Sequence, residues 1–161
     1  LLLSLKKKGI ERTNITLHVG WDSFRPIRSN NIDKHIMHSE NYSISKDTLA
    51  KLYSIKKDKK RIVAVGTTTT RVLEHLGQYN DGGLINIERI GVGSGKTNLF
   101  IRPGHEFKIV DGMITNFHLP KSTLLLLVSA FANKDLILYA YNEAVKEGYR
   151  FYSFGDAMLI L

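Results

Sequence analysis

Imidazole, carboxylate, hydroxyl and guanidinium groups recur in this chain at spacings that suit proton transfer and anion capture. Asn116-Phe117-His118-Leu119-Pro120-Lys121-Ser122-Thr123-Leu124 sets polar groups directly before an apolar block that ends at Phe131. Leu119 precedes a proline and is disfavoured in a helix, whereas Pro120 and Ser122 suit a first helical turn, so a helix is expected from near Lys121. Its body, Leu124 to Val128, has no polar face and reads as a central helix buried on most sides. Asn116, His118, Lys121 and Ser122 then stand where a strand meets a helix N-terminus, a place suited to holding a ligand. An ordinary capped helix start fits the same spacing.

Three further groupings carry chemistry. His38 and Glu40 share a face at a period of two, so a hydrogen-bonded pair would accept protons near neutral pH; a satisfied structural pair fits equally. Gly66-Thr67-Thr68-Thr69-Thr70-Arg71 offers amides and hydroxyls at a helix start, with a guanidinium able to grip a carboxylate or phosphate. Capping explains one threonine, not four. Arg150, Tyr152 and Asp156 bring charge into an apolar segment, as an ion pair or as a carboxylate that faces a cation. His35 and His38 fall on opposite faces of a strand, so no metal is expected. Gly93-Ser94-Gly95-Lys96-Thr97 lacks the earlier glycine of a phosphate loop, with Ile90 in its place, and precedes an expected strand rather than a helix.

These groups need elements to position them. Ile15 to Gly20 alternates as a strand, Trp21 to Asn31 reads as a loop, and Ser45 caps a helix from Lys46 to about Lys57. Arg61 to Gly66 is a short apolar run of the kind covered on both faces, followed after the threonines by a helix to Gly77. Gln78 to Lys96 is rich in glycine and reads as a long loop. Strands are expected at Thr97 to Ile101, Phe107 to Val110, Met113 to Phe117, Tyr149 to Phe154 and Met158 to Leu161. A helix over Asp135 to Glu147 would turn Leu136, Leu138, Tyr139, Tyr141 and Val145 inward. The alternation argues for an α/β class, a layered domain with a mainly parallel or mixed sheet.

At 161 residues the chain suits one domain with a real core. It has no cysteine, which excludes disulfides, thiolate zinc sites and cysteine nucleophiles and fits a cytoplasmic setting. A net charge of +8 draws polyanions such as RNA, although a solvated lysine surface gives the same excess. The opening Leu1-Leu2-Leu3-Ser4-Leu5-Lys6-Lys7-Lys8-Gly9 reads as the last turns and cap of a helix, and a fragment of a longer protein is expected.

Together these blocks resemble the S-adenosylmethionine:tRNA ribosyltransferase-isomerases of queuosine biosynthesis. The resemblance rests on Leu17-His18-Val19-Gly20 with Phe24 and Pro26, on His35, Met37, His38, Glu40 and Tyr42, and on Val65 to Thr68 with Arg71, Leu73 and Glu74. It continues through Phe100-Ile101, Pro103-Gly104 and Phe107, then Thr115 to Leu124, then Tyr149-Arg150-Phe151 and Gly155 to Ile160. Asp22 and Ser23 depart from the family's usual glycine and threonine. The resemblance implies that residues 1–161 are the C-terminal part of the α/β catalytic domain, without its first portion or the inserted β-barrel domain. It also implies transfer and isomerisation of the ribosyl group of S-adenosylmethionine onto 7-aminomethyl-7-deazaguanine in tRNA, giving epoxyqueuosine without a metal. Assigned to that chemistry, His118 with Asn116, and His38 with Glu40, handle protons, and Asp156 faces the sulfonium or the amine. Gly66, Thr67, Thr68 and Arg71 hold the methionine carboxylate, while Lys121 and Arg150 meet tRNA. A cytoplasmic monomer without membrane contact is expected. A tRNA-binding module without chemistry, or an inactive truncated fragment, is the alternative.

Overall fold

The computed structural model describes residues 1–20, 27, 32–81, 84–85 and 93–161. Phe24, Pro26, Asp22 and Ser23, and most of the expected loops at 21–31 and 78–96, lie outside the described residues.

Two three-stranded sheets organise the chain. The first is antiparallel, in the order β1 (Thr16–His18), β2 (Glu40–Ile44), β6 (Gly93–Thr97). The second is mixed: β3 (Val63–Val65) runs parallel to β7 (Gly112–Asn116), which pairs antiparallel with β8 (Ala157–Ile160). A small hairpin of β4 (Asn80–Asp81) and β5 (Leu84–Ile85) forms a third sheet, with β5 against α2. The helices are α1 (Leu2–Lys7), α2 (Lys46–Lys57), α3 (Thr67–Gly77), α4 (Thr123–Ala132) and α5 (Lys134–Lys146). The layered α/β expectation holds, with the parallel content limited to β3 and β7.

Local chemistry sets the helix boundaries. Ser45 starts α2 by accepting from the Thr48 amide at 3.1 Å. Ser122 starts α4 in the same way, accepting from Leu125 N–H at 3.1 Å and donating to the Leu119 carbonyl at 2.7 Å. The helix therefore begins after Lys121, which sits at φ 55° and closes the turn. α3 begins at the first threonine instead of after the fourth. Gly66 turns the chain at φ 95°, and the Thr70 hydroxyl and amide both return to the Gly66 carbonyl.

Other sequence expectations shift for equally definite reasons. Phe107 to Val110 forms no ladder, because the Glu74 carboxylate receives the amides of Lys108, Ile109 and Val110 at 2.8, 3.0 and 2.9 Å. Glu74 is 1% exposed, and His105 Nε2 lies 3.4 Å from it. The strand expected over Thr97 to Ile101 runs instead from Gly93 to Thr97. There Gly95 lies under the Tyr42 ring, and a Cβ would come within 2.5 Å of the phenol oxygen. Tyr149 to Phe154 is no strand: Tyr152 to Phe154 forms a 3₁₀ turn, entered as Tyr152 N–H donates to the Phe117 carbonyl at 3.0 Å.

Two apolar clusters share the core. One joins Tyr42, Ile44, Leu49, Leu52, Ala64, Val72 and Leu76; the other joins Met113, Phe117, Leu127, Val128, Ile137 and Tyr141. Phe107 and Phe131, edge to face at 4.8 Å, lock them together. The buried stripe of α5 is Ile137, Tyr141 and Ala144, so Leu136, Leu138, Tyr139 and Val145 point outward, against expectation. Likewise β3 is covered on one face only: Ala64 is buried, while Val63 and Val65 are exposed. In α4 the expected burial on most sides holds: Thr123, Leu127, Val128 and Ser129 are buried, and the other residues of the helix are half-buried.

Glu74→Ala removes the acceptor of three amides at once. It is expected to lower the unfolding free energy by roughly 3–5 kcal/mol in urea titration, whereas a change at exposed Glu106 should shift it by less than about 0.5 kcal/mol.

Candidate functional site

Because β3 and β7 are parallel neighbours, the helices that follow them start at the same end of the sheet. That arrangement makes a crevice at the carboxyl ends of the strands. Here the crevice is a narrow cleft of about 10 Å³, room for roughly one water molecule, with Thr67, Thr68 and Arg71 of α3 on one wall and Thr123, Leu124 and Leu127 of α4 on another. Met37 and Phe100 close it with apolar surface. The first turn of α3 has no side-chain cap, so its leading amides keep their donor capacity and the positive end of the helix dipole points outward.

Arg71 gives the cleft its charge. The residue is 4% exposed and ion-paired with Glu40, itself 4% exposed at the start of β2. Burial lowers the guanidinium pKa to about 10, because removal from water disfavours the charged form. Among the described residues, Arg71 Nε and both Glu40 oxygens lack a hydrogen bond of ordinary geometry. A buried cation with an idle donor beside the uncapped N-terminus of α3 suits an anionic group such as a carboxylate.

His118 lies on the turn between β7 and α4. Burial pushes its pKa down to about 4, so the ring is neutral at physiological pH. Nε2 is 3.0 Å from the Thr115 hydroxyl, and the His118 amide donates to the Tyr141 hydroxyl at 2.9 Å. Thr115 therefore orients the ring, not Asn116, whose amide donates instead to the Gly155 carbonyl at 3.4 Å. A hydroxyl three residues before the histidine was the signal in the sequence.

The remaining assigned residues distribute as follows. The ladder begins at Glu40, which turns inward to Arg71, while His38 precedes it at the surface; the shared face expected of them does not form. Asp156 accepts from the Arg150 amide at 2.8 Å, and its other oxygen accepts from that guanidinium at 3.0 Å. These hydrogen bonds hold the Asp156 carboxyl below the usual range, so the ion-pair reading of the two residues is the one realised. Lys121 is exposed beside the turn. Among the described residues no group of three or more His, Asp or Glu is placed to hold a metal, and no single helix is long and apolar enough to cross a membrane.

Comparison with known proteins adds two findings. The family described as queuosine biosynthesis protein matches residues 1–160. The 2.00 Å crystal structure of S-adenosylmethionine tRNA ribosyltransferase from Thermotoga maritima is 47% identical, covers 99% of this chain and has a TM-score of 0.74. The present chain spans about half of that relative, 48% of its length.

The buried histidine carries its own test. The unfolded chain protonates His118 near 6.5 and the folded chain only near 4, so the unfolded state binds more protons between those values. Stability should fall as pH drops through that window, by roughly 3 kcal/mol from this residue alone. Urea midpoints of the wild type and His118→Gln are expected to converge between pH 6.5 and 4.5; parallel curves would show that the ring titrates normally.

Proposed function

Since the chain belongs to the queuosine biosynthesis protein family, we propose that residues 1–161 form the C-terminal part of the catalytic α/β domain of an S-adenosylmethionine:tRNA ribosyltransferase-isomerase. The reaction transfers and isomerises a ribosyl group onto 7-aminomethyl-7-deazaguanine in tRNA, gives epoxyqueuosine, and releases adenine and methionine. It takes place in the cytoplasm. The observation that carries this proposal is the narrow cleft that buried Arg71 and the uncapped turn of α3 line together.

Bound S-adenosylmethionine supplies the ribosyl group and, through its sulfonium, acidifies the adjacent carbon. The chain's own residues do the rest. Gly66, Thr67, Thr68 and Arg71 hold the carboxylate and fix the donor's orientation. His118, neutral and aligned by Thr115, accepts or returns a proton at Nε2 or Nδ1. Met37 and Phe100 exclude water from the cleft, which strengthens every electrostatic contact inside it. Asp156, kept ionised by Arg150, places negative charge beside the β7 end. Lys121 and the surplus of 8 positive charges meet tRNA phosphate.

The net charge also supports binding without chemistry, so the test separates the two. This chain, and a version extended to the full length of its relative, are each incubated with S-adenosylmethionine and tRNA carrying 7-aminomethyl-7-deazaguanine, with nucleosides scored by mass spectrometry. Epoxyqueuosine from the extended version is expected, reduced about 100-fold or more in His118→Ala. Product from neither version, with tRNA bound and adenine never released, would leave a binding module.

A further inference from the structure

The Arg71–Glu40 pair is more than an anchor for the helix. Buried ion pairs hold together when other hydrogen bonds satisfy the remaining donors and acceptors, since desolvation otherwise offsets their attraction. This pair is only partly supported: Glu40 Oε2 meets the Arg71 guanidinium, but Arg71 Nε and Glu40 Oε1 are buried without hydrogen-bond partners among the described residues. Unmet demand of both signs therefore sits at one place. Arg71 lines the cleft, and Glu40 stands behind it, three residues after cleft-lining Met37.

A simple anion would satisfy only half of this arrangement. Phosphate at the α3 amides would meet Arg71 but would bring its charge toward the Glu40 carboxylate, which repels it. A ligand that carries an anion and a cation on one carbon satisfies both. We propose that Arg71 and Glu40 form a receptor for an α-amino-acid zwitterion, in which Arg71 and the Thr67 and Thr68 amides take the carboxylate and Glu40 takes the ammonium. The assignment rests on the reading of S-adenosylmethionine as the ligand of this cleft and names the part of it that is recognised. Glu40 is then a specificity determinant rather than a proton carrier. The cleft discriminates amino acids from phosphates although the uncapped N-terminus of α3 opens onto it.

Calorimetric titration of this 161-residue chain tests the receptor without any need for turnover. The probes are S-adenosylmethionine, L-methionine, 4-(methylthio)butanoate, which lacks the ammonium, L-methioninamide, which lacks the carboxylate, and inorganic phosphate. L-Methionine is expected to bind about tenfold or more tightly than either truncated analogue, and phosphate not measurably. Glu40→Gln should weaken L-methionine by about tenfold while changing the ammonium-free analogue by less than about threefold. Circular dichroism and the unfolding midpoint check that variant; if it does not fold, the analogue series on the unaltered chain decides. Equal affinity for L-methionine and the ammonium-free analogue, or competitive phosphate binding, overturns the zwitterion receptor and leaves S-adenosylmethionine as ligand. Failure of both S-adenosylmethionine and L-methionine to bind overturns the ligand assignment as well.

Discussion

One buried contact, Arg71 against Glu40, connects the halves of this structure. Arg71 stands in the first turns of α3, which packs on the β3-β7-β8 sheet, and Glu40 opens β2 in the other sheet. Removal of either partner would strand a charge in the core, a loss on the order of 3–5 kcal/mol. The contact ties α3, which begins at the Gly66 turn, to the start of β2. Thr67 and Thr68 of its first turn line the cleft.

Around this contact the rest follows from chain geometry. Parallel pairing of β3 with β7 makes α3 and α4 begin at one end, and the two caps are built differently. Ser122 satisfies the start of α4 with its own hydroxyl, whereas Gly66 leaves the start of α3 without a side-chain cap. One helix N-terminus is thus closed and the other is available to a ligand. His118 lies on the connection that leads into the closed helix, held from below by Tyr141 and beside its ring by Thr115. A second buried carboxylate, Glu74 three residues beyond Arg71, supports the segment that leads toward β7 by collecting three amides. One face of α3 therefore serves both the site and the scaffold.

Much of this was legible in sequence, because it rests on local chemistry. The helix start at Ser45, a second start within two residues of the expected Lys121, the turn at Gly66 and the polar group around His118 all follow from residue type and spacing. What escaped the sequence depends on contacts distant along the chain. Phe107 to Val110 has the composition of a strand, but Glu74 satisfies its amides. Gly93 to Thr97 reads as loop, yet pairs with β2 because Tyr42 needs a glycine opposite it. Val63 and Val65 look like interior residues, but the helices cover only the other face of the sheet. In the site, period-two spacing joined Glu40 to His38, whereas the fold gives Glu40 to an arginine 31 residues later. No local pattern encodes that exchange.

Amide hydrogen exchange, read by mass spectrometry with and without S-adenosylmethionine, tests the central claim most directly. If the α3 N-terminus and Arg71 hold the ligand's carboxylate, exchange slows across Gly66 to Arg71 and around Met37, with little change in β1 and β6. Unchanged exchange at Gly66 to Arg71 under saturating ligand, or protection confined to the antiparallel sheet, would contradict it.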